Sequence, residues 1–209
     1  MLKSSNKRRP SQKSDRRPLV TVLGGGGALL LLAAGYLWML GGTTPPRQAA
    51  IGGPFTLTAT DGATVTDATF HGRYVLVYFG YSNCLDVCPT TLAAVADALD
   101  VLGPKAVHVQ PVFVTVDPKR DTPDVLRRFT GLFTPRLLGL TGTQDQIRQM
   151  QQNYRVSSVT HAGAAGSMGY MVDHSSVLYL IGPDGRYLAP IRADESGAEM
   201  ASDITRHMS

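Results

Sequence analysis

Apolar and polar positions begin to alternate at residue 55. FTLTATDGATVT (55–66) switches face residue by residue on either side of Asp61-Gly62, which predicts a β-hairpin with Phe55, Leu57 and Val65 turned inward. YVLVYF (74–79) is a continuous apolar run, the pattern of a central strand covered on both faces. From Leu92 the period changes: Leu92, Val95, Ala96, Leu99 and Leu102 recur at helical spacing, and Gly103-Pro104 stops the helix. VHVQPVFVTV (107–116) returns to strand. Thr122 before Pro123 marks a capped helix start. Thr143 and Gln146 have capping-box spacing, ahead of Ile147, Met150 and Tyr154 on one face. SSVLYLIGPDGRYL (175–188) reads as strand, turn and strand, and Met200, Ile204 and Met208 indicate a closing helix. Strands alternating with helices predict an α/β sandwich around a mixed sheet.

Before this domain the pattern differs. No residue from Pro18 to Pro46 is charged, and LVTVLGGGGALLLLAAGYLWML (19–40) is mostly apolar. As a helix rising about 1.5 Å per residue it would span roughly 33 Å, enough for a bilayer core. A cleaved signal peptide would show a shorter apolar run and a small-x-small site. Arg16-Arg17 suits a twin-arginine signal poorly, given Pro18, Val20 and Thr21. An uncleaved anchor at 19–40 is the expectation, with GGTTPPRQAAIGGP (41–54) as an extended linker to a domain at 55–209.

Charge sharpens the topology. Residues 1–17 hold seven Lys and Arg against Asp15, more than the whole net charge of +4, so the rest of the chain is slightly acidic. A nucleic-acid partner is therefore not expected. The positive-inside rule keeps the basic tail, 1–18, in the cytoplasm and predicts a single-pass inner-membrane protein with a periplasmic C-terminal domain.

The chain's 2 cysteines, Cys84 and Cys88, fall where the strand at 74–79 passes into a helix. That is the carboxyl edge of the sheet, where open α/β folds place their ligand sites. In a helical segment a spacing of four puts both sulfurs on one face, and backbone donors at a helix start favour thiolate over thiol. A plain stabilising disulfide is the simpler reading, but so short a loop constrains the unfolded chain little.

Two thiolates need a further ligand to close a metal site. Of the 5 histidines, His71 looks like a turn residue, His108 enters an apolar strand and His207 lies near the terminus. His161 sits in a small-residue loop, THAGAAGSMG, as a candidate auxiliary ligand. His174 stands out, in a polar Asp-His-Ser step just before an apolar strand. A Ser-His-Asp triad is not expected there, since consecutive residues point in different directions.

YFGYSNCLDVCP (78–89), TVDPKRDTP (115–123), YRV (154–156), YMVDHS (170–175) and YLIGPDG (179–185) together resemble the Sco/SenC family of membrane-anchored copper proteins. The resemblance implies a thioredoxin-like fold and a copper site formed by Cys84, Cys88 and His174. It also implies a role in assembling the dinuclear copper centre of cytochrome c oxidase subunit II, as copper donor, thiol reductant or both. An upstream copper donor and a thiol reductant are the further partners implied. Leu85 stands where family members often have proline, and Asn83 where histidine is frequent; neither replaces a ligand.

The donor chemistry agrees. Two soft thiolates and an imidazole suit Cu(I), with Cu(II) as a second state, and a low coordination number lets an incoming ligand displace them. Structural zinc would want a fourth ligand. Asp86 and Asp173 are assigned to the surroundings of the site or a docking surface, not to coordination. The main alternative is a metal-independent thiol-disulfide oxidoreductase or redox sensor using the same two thiols. A peroxidase is disfavoured: VCPT (87–90) is similar to a peroxidatic loop, but Leu85 stands where that loop has threonine.

Overall fold

The computed structural model describes residues 51–162, 170–174 and 176–208, together with Tyr36. The basic tail, the anchor apart from Tyr36, and the linker up to residue 50 lie outside these residues.

In chain order the elements are β1 (Thr56–Ala59), β2 (Thr64–Thr66), β3 (Tyr74–Gly80), α1 (Val87–Leu102), β4 (Val109–Thr115), α2 (Pro123–Thr130), β5 (Leu138–Thr141), α3 (Gln144–Tyr154), β6 (Ser158–Ala162), β7 (Tyr170–His174), β8 (Val177–Ile181), β9 (Tyr187–Arg192) and α4 (Gly197–Arg206). Seven strands form one sheet in the order β2-β1-β5-β4-β3-β8-β9, while β6 and β7 pair apart as a two-stranded ribbon. β3, β4 and β5 are parallel; the remaining pairs are antiparallel. This is the thioredoxin-like α/β sandwich on a mixed sheet that the sequence led us to expect.

The opening hairpin forms as expected. The Asp61 carboxylate accepts a hydrogen bond from the Ala63 N–H at 2.9 Å, and Gly62 supplies the left-handed turn conformation, φ 87°. Phe55 falls just outside β1 and is half-buried, whereas Leu57 and Val65 reach the core.

β3 is apolar on both faces because helices cover both. α1 and α4 bury Leu92, Val95, Leu99, Met200 and Ile204 with Leu76, Tyr78 and Phe113 on one face, where α2 adds Leu126. α3 buries Ile147, Met150 and Tyr154 with Val77, Phe79 and Val112 on the other. The capping box at Thr143 and Gln146 is present, and Thr122 caps α2 by accepting from the Val125 N–H. By length and composition the stretch Val87–His108 would also cross a membrane. Here it is the core helix α1 and its 3-10 continuation, with its apolar stripe buried in the core.

Two boundaries differ from the sequence reading. α1 begins at Val87, ahead of Leu92, because Cys88 and Thr91 already belong to its buried stripe and Pro89 is tolerated in a first turn. β4 begins only at Val109, because Gly103–His108 winds as a 3-10 helix and leaves His108 exposed.

Candidate metal centre

β3 and β4 end level, with Gly80 opposite Thr115, and the Val116 N–H donates to the Gly80 carbonyl at 2.8 Å. Two loops therefore leave the sheet side by side: residues 81–86 carry Cys84 towards α1, and residues 116–122 lead to α2. The first is held by a turn in which the Cys84 N–H donates to the Tyr81 carbonyl at 3.1 Å.

Both cysteines are present as thiols. Cys84 is half-buried and packs against the cores of both sheet faces. Cys88, in the first turn of α1, is fully buried. Its N–H donates to Cys84 Sγ at 3.4 Å, and the Tyr78 hydroxyl donates to Cys88 Sγ at 3.8 Å. Gly80 is required beneath them, because a Cβ there would lie 2.8 Å from Cys88 Sγ and 2.7 Å from the Phe113 ring.

The helix start does not make Cys88 a thiolate. Hydrogen bonding with Cys84 and burial push the Cys88 thiol well above its ordinary value. The physical balance is clear: a helix terminus contributes about 0.3–1 kcal/mol to a nearby charge, while full burial shifts ionisation by up to about 3–5 pKa units. The first-turn N–H of Cys88 serves its neighbour's sulfur instead.

His174 ends β7, its backbone opposite Ser158; its side chain lies outside the described part of the structure. The sequence places it before an apolar strand, and the structure gives it a strand of its own. Asp173, on the same strand, is 74% exposed and pairs with His161 across the ribbon, Oδ2 to Nε2 at 2.8 Å. His161 is thus engaged with a carboxylate. Asp86 is exposed as the N-terminal cap position of α1, while His71, exposed, and His207, half-buried, each follow the end of a helix.

Within TVDPKRDTP the sequence marks Thr122 and Pro123 as a helix start and gives Asp117, Arg120 and Asp121 no task. In the structure Asp121 is buried and accepts from the Ser82 N–H at 3.0 Å, the Ser82 hydroxyl at 2.5 Å and the Thr115 hydroxyl at 2.6 Å. It ties the cysteine loop to the end of β4. Burial pushes the Asp121 carboxyl up against the pull of those donors. Asp117, also buried, accepts from Arg120 Nε and, at 2.6 Å, from the Tyr170 hydroxyl on β7. Arg120 Nη1 donates to the Tyr170 carbonyl at 2.9 Å. The signal available in the sequence was charge itself: Asp117, Arg120 and Asp121 follow directly on an apolar strand, and charges held there need partners.

A family model described as SCO1/SenC matches residues 43–209. The chain belongs to the SCO1/SenC family. The SCO2-like protein RP587 of Rickettsia prowazekii is 37% identical over 150 residues, covering 72% of this chain and 73% of that protein. The human mitochondrial SCO1 homolog is 36% identical over 160 residues, 76% of this chain but only 53% of its own length. The solved structure of Bradyrhizobium japonicum ScoI with copper bound aligns at a TM-score of 0.69 and 38% identity, over 75% of this chain and 99% of that one. The SCO1/SenC match spans Cys84, Cys88, His174 and the loop from Asp117 to Asp121.

Proposed function

We propose that this chain binds copper, as Cu(I), through Cys84, Cys88 and His174, and hands it on in the assembly of cytochrome c oxidase. The observation that carries the reading is the pair of thiols joined through the Cys88 N–H to Cys84 Sγ contact at 3.4 Å, in a chain similar to a protein solved with copper bound. The donor set fits: adjacent sulfurs suit a soft monovalent ion. Strand alternation supports the third ligand, since position 174 has the parity of Tyr170 and Val172, and that face of β7 meets Asp117 and the core. Copper is cargo here, so the protein's task is to hold it, exclude competing ligands and release it.

Further steps of the reading rest on the sequence. The apolar segment 19–40 anchors the chain in the inner membrane with its domain outside, and the linker 41–54 sets its reach to subunit II of the oxidase, whose dinuclear copper site is the recipient. A second reading is favoured by the asymmetry of the two thiols. Half-buried Cys84 would attack a disulfide of the recipient as thiolate and form a mixed disulfide. Buried Cys88 would then displace the recipient's sulfur, leaving a Cys84–Cys88 disulfide and two reduced recipient thiols.

The deciding experiment is Cu(I) stoichiometry and chelator competition on the reduced full chain beside Cys84→Ser, Cys88→Ser and His174→Ala. One copper per chain, weakened by each substitution, supports the reading. No tight binding by the parent chain would leave thiol exchange in front.

A further inference from the structure

Arg120 contacts both the cysteine loop, at Tyr81, and the β6–β7 ribbon, at Tyr170. Its guanidinium carbon stands 3.7 Å from the centroid of the Tyr170 ring and 5.5 Å from that of Tyr81. Nε binds the buried Asp117 and Nη1 the Tyr170 carbonyl. Tyr81 opens the cysteine loop, and its carbonyl accepts the Cys84 N–H. Tyr170 begins the strand that ends at His174.

We propose that Arg120 is a positioning residue that clasps the β6–β7 ribbon to the cysteine loop and so sets where position 174 stands relative to the two thiols. This rests on the copper reading above, which it deepens. A guanidinium suits the task because it is planar: it stacks on one ring while its fork binds a carboxylate and a carbonyl, which a lysine ammonium does not reproduce. Tyr170 is used three times over, by its ring, its hydroxyl and its carbonyl, so the clasp fixes the orientation of β7 as well as its distance. Nη2 is buried with no hydrogen-bond partner among the described residues.

The test uses the full chain with Arg120→Ala, Arg120→Lys and Tyr170→Phe. In metal-free protein, Arg120→Ala should speed amide hydrogen exchange in 158–162 and 170–174 by about tenfold or more, the loss of a stacked, hydrogen-bonded cation, and leave 74–80 and 87–102 unchanged. With Cu(I) bound, release to excess bathocuproine should accelerate towards the rate of His174→Ala. X-ray absorption should then show the imidazole contribution diminished and both sulfurs retained. Arg120→Lys should restore part of each effect. Tyr170→Phe, which keeps the ring, should give a smaller one and keeps the test available should Arg120→Ala not fold. Unchanged exchange in the ribbon, or exchange raised throughout the domain, would overturn the clasp. Ribbon-specific exchange in Arg120→Ala together with wild-type copper release from His174→Ala would instead overturn the histidine ligand and leave the clasp standing.

Discussion

The cysteine loop and the β6–β7 ribbon, both in contact with Arg120, are held under opposite physical conditions. The loop departs from β3, which is paired on both sides and buried on both faces, and its second cysteine lies inside the core. The ribbon is a separate two-stranded sheet whose Val159, His161 and Asp173 are exposed. Such a pair is marginal by itself in water; it is fastened by Val172 in the core, by Gln151 Nε2 donating to Ser158 Oγ at 2.7 Å, and by Tyr170 with Arg120. A carrier that must bind and also release profits from this division. With copper held as proposed, two ligands would stay fixed and one could retreat without disturbing the core.

The largest effect that sharpens the contrast is copper's own. If the metal bridges the halves, Cu(I) at about a thousand times its dissociation constant stabilises the bound form by about 4 kcal/mol. Hydrogen exchange should then slow in the ribbon as well as in β3, where exchange requires loss of the metal altogether. Slowing in β3 alone would break the comparison. Next comes Gly80→Ala, where the new methyl meets Cys88 Sγ and Phe113; overpacking of this kind costs about 1–3 kcal/mol. The urea midpoint should fall while exchange in the ribbon itself is unchanged.

A pH series is expected to act at a similar scale. The folded pKa of Cys88 is raised, so its contribution to metal-free stability is complete below the ordinary thiol value of about 8.5. It is lost as pH climbs beyond that value, because the unfolded chain sheds a proton the folded chain keeps. Copper reverses the sign: binding expels thiol protons, so apparent Cu(I) affinity should rise about tenfold per pH unit for each proton released. Denaturation of the metal-free chain and chelator competition, each followed over pH, check the two signs. The smallest effect belongs to Asp173→Asn. Its exposed pair with His161 is worth about 0–1 kcal/mol, and copper should be retained; loss as complete as in His174→Ala would make Asp173 part of the site.

Much of this was legible in the sequence for identifiable reasons. Asp61-Gly62 marks its turn by chemistry, and Thr122 and Thr143 cap their helices through side chains the sequence displays. The ribbon was not legible: Ser158, Thr160 and Asp173 are polar and exposed, so no apolar alternation announces its strands. Nor was the start of α1, where Cys88 acts as one more apolar residue in a buried stripe. The bond from Tyr170 to Asp117 joins residues 53 apart, and no local pattern reports such a pairing. The expected thiolate failed for the same reason: spacing locates Cys88 at a helix start, and only packing reveals how dry that position is.

The level ending of β3 and β4 has a consequence for the protein's tolerance to change. Everything between Gly80 and Thr115 leaves and returns at one rim, so the far end of α1 and the Gly103–His108 turn lie where length is unconstrained by the site. A turn of helix added or removed there should leave the cysteines and Asp117 in register. The segments 80–88 and 115–121 thus form a transplantable cassette, and another parallel strand pair ending level would be a suitable host for it.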